Sequence, residues 1–464
     1  MNRAFGDVTR NLSALLLFVV VAATILAEYL GSDPAKYTAA AALVAYVARE
    51  WARLRGNARM LVFVCAALAL WVGVRAHSPL PALEGLARAT FYPAFLGALG
   101  FLRDAAAASP MVERAGRYLV DRPPARRYAA LTFGGHIFGV LINMGGLALI
   151  ASMVQQANTL AAAGGDPVRR AIRERRMATA VLRGFSAMPM WCPLSITMAL
   201  LFSLTPQAHW SDYAPYGIGL TMLYLAFGWL VDFLSYPRGG AQVARPDSGG
   251  WIAIAVMVAQ VGVITIVALL LERWTGVRFI AHMLVVAPLF ALGWSIAQHW
   301  SAGVARGVAA LAGQSQRNMP TYANEVTLFA TSAFMGAMVA ALLPPDAAPH
   351  LFAALHLSVD GFLVVMVLVV AGLGIVGVNP MITLTLILGS LAHAPIDGLS
   401  PLRLVVTAAG AWALSLGCSP LNGSMVMFAN IIGVRSETVA FRWNGAFALT
   451  TIALFCLAVY FVKI

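Results

Sequence analysis

An apolar stretch over residues 402–432 is interrupted by Ser419-Pro420-Leu421-Asn422-Gly423-Ser424-Met425. Proline has no N–H and its ring clashes with the preceding turn, so a helix through this stretch opens here and frees backbone carbonyls and amides. In hydrocarbon such groups find no water, and broken backbone is tolerated only where protein buries it or where it lines a polar cavity. The interruption reads as half of a binding site in a helical membrane protein.

The other half stands 227 positions earlier, residue 192 against residue 419, as Cys192-Pro193-Leu194-Ser195-Ile196-Thr197-Met198. Both stretches read Cys or Ser, Pro, Leu, Ser or Asn, any residue, Thr or Ser, Met. Matching hydroxyl, amide and methionine at the same offsets mark an internal repeat.

Composition agrees with a polytopic membrane protein: 60% of the 464 residues are hydrophobic, 11% are charged, and the mean hydropathy is +0.80. That exceeds what a soluble domain buries. The four cysteines, Cys65, Cys192, Cys418 and Cys456, lie in apolar runs without CxxC or His/Cys spacing, which indicates neither a disulfide framework nor a zinc site. The formal charge of +12 sits between apolar spans rather than on one soluble face, so it is a topology signal and not a nucleic-acid surface.

Taken in order, the chain predicts eleven crossings, near 12–30, 37–48, 60–74, 91–108, 185–204, 214–236, 251–271, 281–297, 326–343, 402–432 and 446–462. The first is too long for a signal-peptide core and has no small-residue cleavage site after it. Two further apolar stretches, 128–154 and 352–393, read as re-entrant hairpins. With the N-terminus cytoplasmic, this leaves only Lys36, Arg75, Arg88, Arg273, Arg278, Arg403 and Lys463 outside among the 31 basic residues. Segments 111–127 and 168–183 read as amphipathic surface helices with arginines toward the lipid headgroups. Segments 237–250 and 301–324 read as linkers.

The repeat extends further. Ala94-Phe95-Leu96-Gly97-Ala98 returns as Ala333-Phe334-Met335-Gly336-Ala337, and Met60-Leu61-Val62 with Trp71 returns as Met283-Leu284-Val285 with Trp294. Asn143 and Asn379 occupy the centres of the two hairpins. With the first span set aside, each half has five crossings and one hairpin, so the second half enters the bilayer from the opposite side. The expected fold is an all-α polytopic membrane protein: an inverted-repeat transporter with about 11 transmembrane helices and two re-entrant hairpins.

Four helices, a hairpin, a broken helix and a further helix, followed by the inverted set, resemble the ion transporter superfamily, in layout its divalent anion/sodium symporter branch. That branch carries Ser-Asn-Thr at each hairpin tip and a proline-containing loop in each following helix. Here the tips read Ile142-Asn143-Met144-Gly145-Gly146 and Val378-Asn379-Pro380-Met381-Ile382-Thr383. The asparagine is kept at both tips and the full Ser-Asn-Thr motif at neither. The departure bears on the substrate, because in that branch the flanking hydroxyls contact substrate carboxylates.

The resemblance implies a homodimer in which a scaffold holds a moving transport domain. The scaffold would comprise 1–127 and 251–343, and the transport domain 128–250 and 344–464, each with a hairpin, a broken helix and a further helix. Asn143, Gly145, Ser195, Thr197, Asn379, Thr383, Asn422 and Ser424 are the expected substrate contacts, since amides and hydroxyls solvate an anion without a fixed buried charge. Asn143, Asn379, Pro193 and Pro420 mark the coupling-ion site, where exposed carbonyls suit Na⁺ and helix N-termini favour anions. No other metal or cofactor is expected. The same residues also fit kinked packing helices with capping hydroxyls.

Ionisable candidates are His136, His356, Asp360, Asp232, Glu325 and Glu28, all near expected span ends. An integral-membrane enzyme is the reading from another class. The segment from His356 to Asp360 has three intervening residues rather than the four of an acyltransferase pair, and no GxSxG, HExxH or Walker loop occurs. The sequence therefore predicts a non-enzymatic carrier of a small organic or inorganic anion, coupled to Na⁺ or H⁺. A cation/proton antiporter of the same architecture is the alternative. Membrane lipid and a small anion are the expected partners, and a bacterial inner membrane with the C-terminus outside is the expected location.

Overall fold

The computed structural model describes residues 2–236, 250–342, 344, 357–391 and 398–463. The segment 237–249 read as a linker, the beginning of the second expected hairpin with His356, and its end at 392–393 lie outside the described residues. Every regular element among the described residues is helical. This is the solution hydrocarbon imposes, because a helix satisfies its own backbone.

The helices run α1 (Asn2–Leu30), α2 (Asp33–Arg49), α3 (Gly56–Ala76), α4 (Leu80–Ala89), α5 (Phe91–Ala107), α6 (Pro110–Val120), α7 (Pro124–Ile142) and α8 (Met144–Ala157). Then come α9 (Pro167–Ser186), α10 (Ile196–Leu204), α11 (Trp210–Ser235), α12 (Gly250–Thr275), α13 (Phe279–Gln298), α14 (Val304–Asn318) and α15 (Ala323–Leu342). The described chain closes with α16 (Val359–Ile375), α17 (Pro380–Leu391), α18 (Pro401–Cys418), α19 (Gly423–Ile432), a π-helical turn at Thr438–Trp443, and α20 (Gly445–Phe461). Among the described residues seven helical stretches are long and apolar enough to cross a membrane, joined by four shorter apolar helices, α8, α16, α17 and α20. Leu70, Val74, Leu223 and Leu234 are more than two-thirds exposed, as residues facing lipid tails are. The chain is an all-α polytopic membrane protein.

Packing runs both within and between the two halves. Within the first half α5 lies against α1 and α7 against α9, and within the second α16 lies against α18, while α5 on α13 and α15 on α3 join the scaffold helices of the two halves. The halves also meet where the helices after the tips pack on the helices after the breaks: α8 on α19, and α17 on α10. An apolar groove of about 1030 Å³ between α2, α3, α4 and α15, walled by Leu43, Cys65, Leu83 and Phe334, lies away from both breaks.

Two expectations need correction. The stretch 301–324 is not a linker: α14 occupies it, with Gly307, Leu311 and Ser315 buried at four-residue spacing. A Cβ on Gly307 would stand 2.6 Å from Ile296 Cα, so the small residue lets α14 lie on α13. Nor is 168–183 a surface helix throughout. From Met177 onward α9 is buried, and it continues without interruption toward the first break.

Candidate substrate and ion site at the paired helix breaks

Each break is closed by the side chain that begins the next helix. At the first, Ser195 Oγ donates to Cys192 O (2.7 Å) and accepts from Met198 N (3.3 Å). At the second, Asn422 Oδ1 accepts from Met425 N and from Ser424 Oγ, both at 2.7 Å. Its Nδ2 donates to Leu416 O (3.0 Å) and Ser419 O (3.2 Å). Ser195 and Asn422 are N-caps, the position at which Ser and Asn satisfy orphan amides. Ser195, Asn422 and Ser424 thus spend these bonds on their own turns. Thr197 is buried in the first turn of α10.

The carbonyls freed ahead of the breaks are also met, by different chemistry in each half. Met190 O accepts from the Tyr213 hydroxyl, and Gly417 O accepts from Asn444 Nδ2 at 2.8 Å. Residues 190 and 417 are separated by 227, as are the breaks, and so are 217 and 444. Gly217 stands where Asn444 does, and a Cβ there would come within 2.4 Å of Met190 O. The same offset relates Arg176 to Arg403 and Asp232 to Val459. Arg176 holds Asp232 through Nε (2.9 Å) and Nη2 (2.7 Å), while Arg403 Nη2 donates to Val459 O (2.6 Å).

The hairpin tips differ. Asn143 joins α7 to α8 with φ 55° and ψ −130°, a conformation that non-glycine residues rarely adopt. Its N–H donates to Gly139 O and its carbonyl accepts from Leu147 N, but its carboxamide makes no hydrogen bond among the described residues. At the second tip Gly377, at φ 95°, ends α16 with Gly377 N bonded to Gly374 O and Val378 N to Leu373 O. Asn379 Oδ1 then caps α17 through Met381 N at 2.9 Å, leaving Nδ2 unbonded among the described residues.

Both tips flank the second break. A Cβ on Gly423 would lie 3.9 Å from Met144 Cε, and one on Gly377 would lie 3.1 Å from Leu421 Cδ1. The tips thus reach 419–423, the stretch that contains Pro420, through Met144, which stands between Asn143 and Gly145 in the chain, and through Gly377, two residues before Asn379. Ser195 and Pro193 sit at the other break, reached through α10 and α17. Among the described residues the buried hydroxyls without a hydrogen bond include Thr383 on α17, Ser415 on α18 and Ser419 at its C-cap. Ser415 Oγ faces Gly374, where a Cβ would stand 2.0 Å away.

The ionisable candidates are largely neutralised where they stand. Asp232 is held by Arg176, Asp360 lies 2.5 Å from Arg403, Glu28 3.4 Å from Arg278, and Glu325 3.8 Å from Arg103. His136 places Nδ1 3.1 Å from Gly184 O and accepts the Trp191 indole N–H at Nε2 (2.9 Å). A carbonyl on one side and a donor on the other fix the neutral Nδ1–H tautomer. Asp104, which the sequence reading passed over, is a buried acid that accepts from Ser315 Oγ (2.7 Å) and Asn318 Nδ2 (2.5 Å). Arg183 and Asn444 were missed as well, and only the position of Arg183, nine residues before Cys192, hinted that it lies within an apolar span.

Fold and site define a polytopic helical membrane protein with duplicated hairpins and duplicated helix breaks. Among solved structures the chain is similar in fold to the YdaH transporter of Alcanivorax borkumensis. The identity is 15%, with 79% of this chain and 84% of that chain covered and a TM-score of 0.56. MtrF of Neisseria gonorrhoeae, described among antimetabolite efflux pumps, aligns at 12% identity over 80% of this chain and 81% of that chain, with a TM-score of 0.46. No family model matches the sequence, and neither does any curated protein.

Proposed function

We propose that this chain is a secondary active transporter that moves a small organic or inorganic anion together with Na⁺ or H⁺. The observation that carries the reading is Asn143. Its backbone holds a conformation costing about 1–3 kcal/mol, and such strain gathers at functional sites. Its carboxamide is unbonded among the described residues, and the next residue, Met144, reaches Gly423 at a helix break flanked by a second tip. Asn379 Nδ2 and the free hydroxyls of Thr383, Ser415 and Ser419 add polar groups without acidic charge. The likeness in fold to the YdaH transporter supports the reading.

In this reading 1–127 and 251–343 form the scaffold of a homodimer, and 128–250 with 344–464 form the part that moves as an elevator in the inner membrane of a bacterium. The layout of the divalent anion/sodium symporters supports that division. A cation/proton antiporter is the second reading, favoured by Asp104, a buried carboxylate whose side-chain hydrogen bonds come from Ser315 and Asn318.

Thermal-shift screening of purified protein against organic acids and oxyanions, with and without Na⁺ and at two pH values, finds the cargo. Uptake of that anion into proteoliposomes then tests the site. Asn143→Ala and Asn379→Ala are expected to abolish uptake in protein that still folds. Normal uptake by both variants removes the tips from the site. Anion uptake that survives Asp104→Asn counts against the antiporter, whereas cation-driven proton movement in the wild type that is lost in Asp104→Asn, with no anion uptake, favours it.

A further inference from the structure

Arg183 lies in the last turn of α9 and is 5% exposed. Its Nε donates to Asn444 Oδ1 (2.9 Å), and its Nη1 to the Tyr128 hydroxyl (2.8 Å) and Gly228 O (3.4 Å). The Phe447 ring centroid is 3.9 Å from Cζ. Every one of these partners is uncharged. Nη2 makes no hydrogen bond among the described residues, and no carboxylate there pairs with the group. Asp232, one turn beyond Gly228 on α11, is already held by both Nε and Nη2 of Arg176. Arg176, Asp232 and Arg183 together keep one net positive charge.

A guanidinium does not shed its proton in a protein, and a buried charge persists only when something compensates it. Dipoles do part of that here. The charge also belongs to one half alone, because the position 227 residues on is Gly410, against which Phe455 is packed. Arg183 is therefore no relic of a repeated structural bond. Through Asn444 it is tied to Gly417, two residues before the second break, and Gly417 also faces the Tyr224 and Ser186 hydroxyls, themselves bonded at 3.0 Å.

We propose that Arg183 Nη2 is the fixed positive charge that receives the anionic group of the cargo, a carboxylate or an oxyanion, beside the second break. The proposal rests on the transport reading above and names the group that selects anions over neutral solutes. Nη2 approaches the ligand while Nε and Nη1 hold the fork in place, so lysine, a point charge without the fork, does not replace it fully.

The test uses full-length protein, titrated by thermal shift with acetate, succinate, citrate, benzoate, phosphate and sulfate, and with acetamide, succinamide and benzamide as neutral counterparts. At least one anion is expected to stabilise the wild type, with its amide inert. Arg183→Gln should weaken that anion by about 10- to 100-fold, the range of one lost charged hydrogen bond, and Arg183→Lys by less. Asn444→Asp sets a carboxylate against Nε and also takes the donor from Gly417 O, whereas Asn444→Ala takes the donor without adding charge. Anion binding should be abolished in the first and kept in the second, and this pair decides the matter if Arg183→Gln does not fold. Wild-type anion affinity in Arg183→Gln or in Asn444→Asp overturns the proposal. If those variants keep that affinity while Asn143→Ala abolishes uptake, the transport reading stands and this inference falls. If no anion stabilises the wild type and none is taken up, both fall.

Discussion

Asn444 Nδ2 donates to the Gly417 carbonyl oxygen at 2.8 Å, and this bond occupies the place in the second half that the bond from the Tyr213 hydroxyl to Met190 O occupies in the first. A proline break leaves a carbonyl that no helical amide can reach. Each half satisfies it from the next helical element, with a phenol in one case and a carboxamide in the other.

Removing either donor leaves a buried carbonyl unpaired. Asn444→Ala and Tyr213→Phe should each lower stability by about 1–3 kcal/mol. The drop in thermal midpoint of the purified protein measures this, and an unchanged midpoint in either variant would mean that water reaches the break.

Strain and ligation at Asn143 separate under two substitutions. Glycine accepts a positive φ at no steric cost, so Asn143→Gly should hold or raise stability by up to about 1 kcal/mol, whereas Asn143→Ala should lower it by about 1–2 kcal/mol. Uptake should be lost in both. Uptake kept in Asn143→Gly would assign the residue to chain geometry alone.

Gly184 sets the spacing of α7 and α9. A Cβ there would stand 1.9 Å from Thr132 O and 2.9 Å from His136 N, both backbone atoms that cannot swing aside. Gly184→Ala should destabilise by about 1–3 kcal/mol or more. Gly219→Ala on α11, where a Cβ meets nothing within 4 Å, is the control and should be neutral or stabilising by up to about 1 kcal/mol.

In the Arg176–Asp232 pair the carboxylate is buried and the guanidinium is partly exposed. Arg176→Met alone strands the buried carboxylate and should cost about 3–5 kcal/mol, Asp232→Leu should cost less because Arg176 reaches solvent, and the double variant should recover most of the larger loss. Chemical or thermal unfolding of the three proteins gives the coupling. Additive losses would show the two side chains acting independently.

The sequence carried the class, the two breaks, the first hairpin and the repeat, because each is written in local chemistry: apolar length, proline, and matching motifs. It misread α9 as a surface helix. Arg176 and Arg183 look like headgroup arginines when averaged with Arg169 to Arg175, and the groups that hold Arg183 inside lie 45, 55 and 261 positions away. It misread α14 as a linker because Gly, Ser and Gln are spread through it, although Gly307, Leu311 and Ser315 mark a packing stripe.

By itself the sequence determined that this chain is helical, that it lives in lipid, and where its helices must open, since backbone amides in hydrocarbon leave no other choice. Only the tertiary structure decided which polar side chains are spent and which remain free. Ser195 and Asn422 are consumed as caps, and among the described residues Asn143 keeps an unbonded carboxamide at the tip and the buried Arg183 is paired with no acid. The reason is physical: a side chain's bonding capacity is fixed by its type, but its partners come from helices distant in the chain and meet it only once those helices pack.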